Sequence, residues 1–265
     1  MNQNIEVSFD GKILDYRKGY SPAFVKSVIN KNNLNGMRVF SVLKEERLES
    51  LEFLRDFNFL KSLNITCVDD HDYNFLNVFN ELEELIIAMG GKKEIDFKSL
   101  TSLKKVVLEW RRNKIHGLEF CSKLEYLALI EFSEKDFSLL NSVPNLKTLR
   151  VKTAKIKSTY GLESIPLLEE LLLANCSSLE IIKFVGKHKN LKVLHLEMCK
   201  KIADFYALGE LPELEKFIIK DCGDIPSLDF LKGMPSLKEF RVIGKTKIGD
   251  CDLSYVKNIN TVVLP

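Results

Sequence analysis

Apolar residues recur along this chain as Leu-x-x-Leu-x-Leu, once every 21 to 23 residues. The central units are Leu82/Leu85/Ile87, Leu103/Val106/Leu108, Leu124/Leu127/Leu129, Leu146/Leu149/Val151, Leu168/Leu171/Leu173 and Leu191/Leu194/Leu196. The spacing continues outward as Leu60/Leu63/Ile65 and Met37/Phe40/Val42 on one side. On the other it continues as Leu214/Phe217/Ile219, Leu237/Phe240/Val242 and Ile259/Val262/Leu264. In each unit the fourth and sixth positions stand two apart, as do the inward residues of a short strand, and the residues between them face out. One strand per unit at a fixed period predicts an α/β solenoid with a curved parallel sheet on its concave face.

The segments between strands are equally regular. Six residues before the first position of each unit stand Leu54, Leu76, Phe97, Leu118, Leu140, Leu162, Val185, Leu208, Leu231 and Leu253. Three residues before it stand Phe57, Phe79, Leu100, Cys121, Val143, Ile165, His188, Leu211, Met234 and Val256, apolar except at His188. Apolar residues spaced by threes over so short a stretch predict 3-10 or brief helical turns on the convex side. The period assigns residues 37–265 to one continuous body of about 11 strand units. Residues 1–36 read as an N-terminal cap. Ile5, Val7 and Phe9 alternate, Asp10-Gly11 is a hairpin turn signal, and Ile13, Leu14 and Tyr16 suit a return strand. Ser21-Pro22 then opens a helix running to about Asn30, with Ser21 as N-cap. Val262-Val263-Leu264-Pro265 reads as an open edge strand that would allow dimerisation, blunted by its terminal proline.

Three of the six cysteines fall in register with the repeat, at Cys176, Cys199 and Cys222. Each lies eight residues after the first position of its unit, and an inward side chain there would meet backbone groups that a turn leaves unpaired. The expectation is therefore three buried structural thiols, not a disulfide framework. A second periodic feature is a strict alternation of sign one residue after each first position: Lys61, Glu83, Lys104, Glu125, Lys147, Glu169, Lys192, Glu215, Lys238. As lateral neighbours in a stack, these residues suit a register-keeping charge ladder.

The stretch Ile156-Lys-Ser-Thr-Tyr-Gly-Leu-Glu-Ser-Ile-Pro-Leu-Leu168 resembles the short bacterial leucine-rich repeats of the internalins and of intracellular phosphatase-regulating repeat proteins. The resemblance covers about residues 37–265. It implies a leucine-rich repeat fold, and with it the concave sheet as binding surface. One departure is the inward turn position. There the family usually carries asparagine, and this chain carries Gly90, Arg111, Phe132 and Ala154.

Subtracting the inward positions leaves outward residues that are apolar over three consecutive units. They include Ile86, Ala88, Met89, Val107, Trp110, Tyr126, Ala128 and Ile130. Contiguous apolar patches with tryptophan, tyrosine and methionine commonly mark interfaces, and Trp110, the sole tryptophan, is the leading hot-spot candidate. Arg111 and Arg112 extend it as a basic rim suited to an acidic protein surface. Toward the C-terminus the face becomes charged, with Arg150, Lys152, His195 and Arg241 among the candidate contacts.

Composition narrows the classes. The 39 basic and 37 acidic residues give a net charge of +2, too little to draw the chain onto nucleic acid. The N-terminal residues lack a signal-peptide pattern and no apolar run would span a bilayer, so the expectation is a cytoplasmic protein without membrane contact. His71, His116, His188 and His195 show no metal-ligand spacing, and no phosphate loop or nucleophile elbow is present. No cofactor and no catalysis are expected, leaving an unrecognised enzyme as the remote alternative. The favoured reading is non-enzymatic recognition of a protein by the concave face. Among free-standing bacterial proteins that this chain resembles, one recurrent role is an immunity protein that neutralises a cognate toxin. An intracellular scaffold or regulatory subunit and a secreted adhesin or effector are the alternatives.

Overall fold

Apolar residues spaced by threes sit on successive i→i+3 hydrogen bonds. The Leu76 amide donates to the Tyr73 carbonyl at 3.0 Å, Phe79 to Leu76 at 3.0 Å and Leu82 to Phe79 at 3.3 Å. In this geometry positions three apart eclipse, which places Leu76, Phe79 and Leu82 on one buried side. The computed structural model describes residues 13–89, 93–110, 114–250 and 252–265. Turns of this kind occupy Glu52–Phe57, Asn74–Val78 and Leu118–Phe120, and later Ser138–Ser142, Leu162–Ser164, Val185–Lys187, Tyr206–Leu208, Asp229–Gly233 and Leu253–Tyr255. They match the return segments expected from the spacing.

The chain divides into two compact units, Met1–Leu124 and Glu125–Pro265. In the first, β1 (Ile13–Tyr16), β2 (Gly36–Ser41), β3 (Ser62–Cys67), β4 (Glu84–Ala88) and β5 (Lys105–Glu109) pair in that order, all parallel. In the second, β6 (Tyr126–Ile130), β7 (Thr148–Lys152), β8 (Glu170–Ala174), β9 (Val193–Glu197), β10 (Lys216–Lys220), β11 (Glu239–Ile243) and β12 (Thr261–Val263) do the same. Equivalent repeat positions sit opposite one another, as in Leu149, Leu171, Leu194, Phe217 and Phe240, all of them buried. Each unit thus builds its core by stacking turns on their neighbours.

The first tooth of the comb is displaced from its expected place. Met37 pairs with Leu63 and Val39 with Ile65, so the inward set is Leu34/Met37/Val39, all buried, and not Met37/Phe40/Val42. Phe40 instead faces out and is 45% exposed. Ahead of β2, Ile13, Leu14 and Tyr16 do form a strand, and it runs parallel to β2 with Leu14 opposite Met37. The expected hairpin partners Ile5, Val7 and Phe9 and the Asp10-Gly11 turn lie outside the described residues. The helix α1 (Pro22–Asn32) starts as anticipated, with the Ser21 hydroxyl accepting from the Phe24 amide at 3.3 Å, and it buries Val25, Val28 and Ile29.

At the strand exits the backbone repeatedly turns left-handed. Met89, Glu131, Thr153, Asn175, Met198 and Asp221 have φ between 52° and 61°, and Gly244 has φ 80°. Each lies seven residues after the first position of its unit. After Glu131, Thr153, Asn175, Met198 and Asp221 the next residue is buried. Phe132 and Ala154 fill this place with apolar groups, and Phe132 stacks on Phe137 at 5.5 Å. Farther along, thiols fill it: Cys199 Sγ lies 3.5 Å from the Leu173 carbonyl and 3.4 Å from that of Glu197, and Cys222 Sγ 3.4 Å from that of Leu196. Cys67, Cys121, Cys176, Cys199 and Cys222 are all buried and unbridged.

Candidate functional site

In a parallel sheet the residues between inward positions have no core to enter, so their character is set by solvent or by a partner. In the first unit Ile86 on β4 faces out beside Val107 on β5, and Asn64 on β3 flanks Ile86 on its other side. All three are half-buried. Met89 follows at the exit of β4, left-handed and 47% exposed. Trp110 sits directly after β5, half-buried. Arg111 and Arg112 lie outside the described residues. Toward β1 on the same face, a cavity of about 460 Å³ is lined by Asp15, Arg38, Phe40, Leu43 and Glu46, among others. The displaced Phe40, with Leu43 and Tyr16, gives the cavity its apolar wall.

In the second unit Tyr126 and Ile130 stand at the two ends of β6, with Ala128 between them opposite Arg150. The Arg150 guanidinium lies 5.5 Å from the centre of the Tyr126 ring, a cation–π arrangement, and Lys152 lies opposite Ile130. Tyr126 and Arg150 are thus in contact, and Ile130 and Lys152 are neighbours on adjacent strands. His195 and Arg241 fall on the same row as Arg150 but at every second strand, separated by Leu172 and Ile218. Leu172 and Ile218 are outward and half-buried, and the sequence reading passed over both. Their positions matched that of Arg150 in the repeat, and that match was the available signal.

Charged groups on this face are strongly coupled. Glu197 holds Lys220 at 2.7 Å, Glu239 holds Lys216 at 2.9 Å and Arg241 at 2.5 Å, and Glu170 lies 3.8 Å from Arg150. The ammonium of Lys216 keeps the Glu239 carboxyl below its usual range. Burial lowers the His195 pKa, and Lys220, Lys216 and Arg150 add to this against the opposing pull of Glu197. His195 is therefore neutral at pH 7. The positive character of the face comes from its lysines and arginines.

The alternating ladder appears beside this face as ion pairs, each lysine reaching back one turn. Lys104 meets Glu83 at 2.7 Å in the first unit, and Lys147 meets Glu125 at 3.2 Å, Lys192 meets Glu169 at 2.8 Å and Lys238 meets Glu215 at 2.9 Å in the second. Lys61 pairs with Glu81 and not with Glu83. Among the described residues no three His, Cys, Asp or Glu side chains are grouped to hold a metal ion. No described helix is long and apolar enough to cross a membrane.

No protein-family model matches the chain, and no curated protein matches it in sequence. Solved structures do resemble it. An internalin of Listeria monocytogenes superposes with a TM-score of 0.67 at 18% identity, covering 90% of this chain and 69% of that one. Internalin C2 of the same organism gives 0.57 at 18% identity, covering 77% and 84%. The leucine-rich repeat domain of the type III effector XopL gives 0.50 at 16% identity, covering 80% and 70%. At these identities the likeness is one of fold.

Proposed function

We propose that this chain of internalin-like leucine-rich repeats is a non-enzymatic recognition protein that binds another protein on its strand faces. The observation that carries the reading is the apolar outward set. Ile86, Val107, Met89 and Trp110 in the first unit, and Tyr126 and Ile130 in the second, stand where the repeat has already filled its core. Side chains left outside a completed core gain their burial from a partner. On the second unit Arg150, Lys152, His195 and Arg241 supply polar contacts, and Arg111 and Arg112, which follow Trp110 in sequence but lie outside the described residues, are proposed to do so on the first. Binding by occlusion suits a chain of repeats, and the specific role we favour is a cytoplasmic immunity protein that neutralises a cognate toxin. Scaffolding is the second reading, and the charge ladder, which stiffens register without creating chemistry, is equally compatible with it.

The test is affinity capture from the native host followed by two substitutions. Trp110→Ala and Ile130→Asp are each expected to weaken the captured complex by about 2 kcal/mol or more, read as a rise in Kd by calorimetry. Unchanged affinity in both variants would remove the proposed surface. The toxin reading predicts in addition that growth arrest by the captured protein, expressed alone, is relieved by co-expression of this chain. A captured partner with no toxicity leaves scaffolding as the role.

A further inference from the structure

The outward face of β7–β11 carries a charge pattern that the apolar patch does not explain. Arg150, Leu172, His195, Ile218 and Arg241 lie on successive strands in one row, so cations and aliphatic side chains alternate about a central histidine. On the flanking rows stand Lys152, Lys216 and Lys220, together with the carboxylates Glu170, Glu197 and Glu239. Each of these carboxylates is held by a cation of the same face. Five cations against three carboxylates leave an excess of two positive charges, and Lys152 is exposed with no carboxylate partner among the described residues. Four of the five cations thus share three acids, Glu239 holding two of them, and the face keeps its positive excess.

We infer that this face receives an acidic amphipathic helix of a protein partner, its carboxylates meeting Arg150, Lys152 and Arg241 and its aliphatic side chains covering Leu172 and Ile218. Spacing favours a helix over an extended segment. Neighbouring strands stand about 4.8 Å apart, close to the roughly 5–6 Å between residues three or four apart on a helix. Same-side residues of an extended chain are about 6.7 Å apart and would fall out of step within two strands. From Arg150 to Arg241 the row crosses four strand spacings, about 19 Å, which a helix of about 13 residues spans. A neutral His195 at the centre places a polar, uncharged group opposite the middle of such a helix. The inference rests on the recognition reading above, and specifies the chemistry of what is recognised.

The experiment uses the full chain and two fluorescein-labelled helical peptides of about 16 residues. One presents Glu, Leu, Gln, Leu and Glu along one face at three- and four-residue steps. The other carries Lys in place of both Glu. Fluorescence anisotropy is expected to show the acidic peptide binding at least about tenfold more tightly than the basic one. Arg150→Gln combined with Lys152→Glu should weaken the acidic peptide by about tenfold, and Lys187→Glu, away from this face, should leave it unchanged. Should the double variant fail to fold, Lys152→Glu alone carries the test, because that side chain is exposed and unpaired. Equal affinity for the two peptides, binding of neither, or indifference to the substitutions overturns the inference. A host partner that still depends on Trp110 while the peptides are not discriminated would remove the acidic helix and leave the recognition reading standing.

Discussion

Thr153 leaves β7 with φ of 61°, a conformation that a β-branched side chain adopts only under strain. Asn175, one turn further on, has φ of 55° at the same repeat position and suits it. Thr153→Asn is accordingly expected to raise stability by about 1 kcal/mol. Equilibrium denaturation showing no gain would mean that the turn relaxes without cost. The opposite change is expected at Gly161, which has φ of 95° and where an added Cβ would lie 2.3 Å from the Ser138 amide nitrogen. Gly161→Ala should cost at least about 2 kcal/mol, measured in the same way. His188 tests burial. It occupies an apolar slot at 3% exposure, and burial lowers its pKa below 6.5 despite the carboxylate of Glu163 and nearby carbonyls. The folded state therefore binds this proton less readily than the unfolded chain. The stabilising effect of a neutral His188 is full above pH 6.5 and is lost as the pH falls below that value. His195 shifts in the same direction. Between pH 7.5 and 5.5, His188→Leu should flatten part of the fall in Tm, and an unaltered slope would show that His188 is not buried neutral.

At the level of elements, the threefold spacing made the 3-10 turns legible, because eclipsed positions must share one environment, and the twofold spacing made the strands legible. The register of β2 was not. Leu34-x-x-Met37-x-Val39 and Met37-x-x-Phe40-x-Val42 both fit the repeat, and only the pairing of Met37 with Leu63 separates them. The left-handed exits at Met89, Glu131, Thr153 and Met198 were equally hidden, since Met, Glu and Thr carry no preference for that conformation and the constraint is imposed by the turn. The outward positions of Ile86, Val107, Tyr126 and Arg150 could be read from the residues left between inward positions. Leu172 and Ile218 were passed over because a lone aliphatic among charges draws no attention until neighbouring strands are aligned. The thiols that line the turns have their own expected behaviour. Burial pushes Cys121 up to about 12 and Cys67 up to about 11, while hydrogen bonding to Cys176, with burial, pushes Cys199 up to about 12. At pH 8 the thiolate fraction of each is then on the order of one in a thousand or less. The five described thiols should be inert to a disulfide reagent until denaturant is added, and rapid reaction of any of them in the native chain would contradict the burial of its turn.

Across the whole molecule, each turn depends on its immediate neighbours, so damage is expected to spread laterally. Leu171 is buried in the middle of the second unit, between Leu149 and Leu194. Leu171→Ala should cost about 2–5 kcal/mol, and hydrogen exchange should accelerate first in β7, β8 and β9. Uniform acceleration through every strand of that unit would instead indicate a single cooperative block. The left-handed residues carry a different consequence. Left-handed backbone sets where Met89 points in the first unit, and likewise Glu131, Thr153, Asn175 and Met198 in the second, whereas Asp221 also accepts from the Lys245 amide at 2.9 Å. The core places no demand on what those side chains are. Such positions can exchange an acid for a thioether or an amide over generations while the stack beneath them stays the same. A lineage under pressure to change its surface would find its cheapest substitutions at these positions.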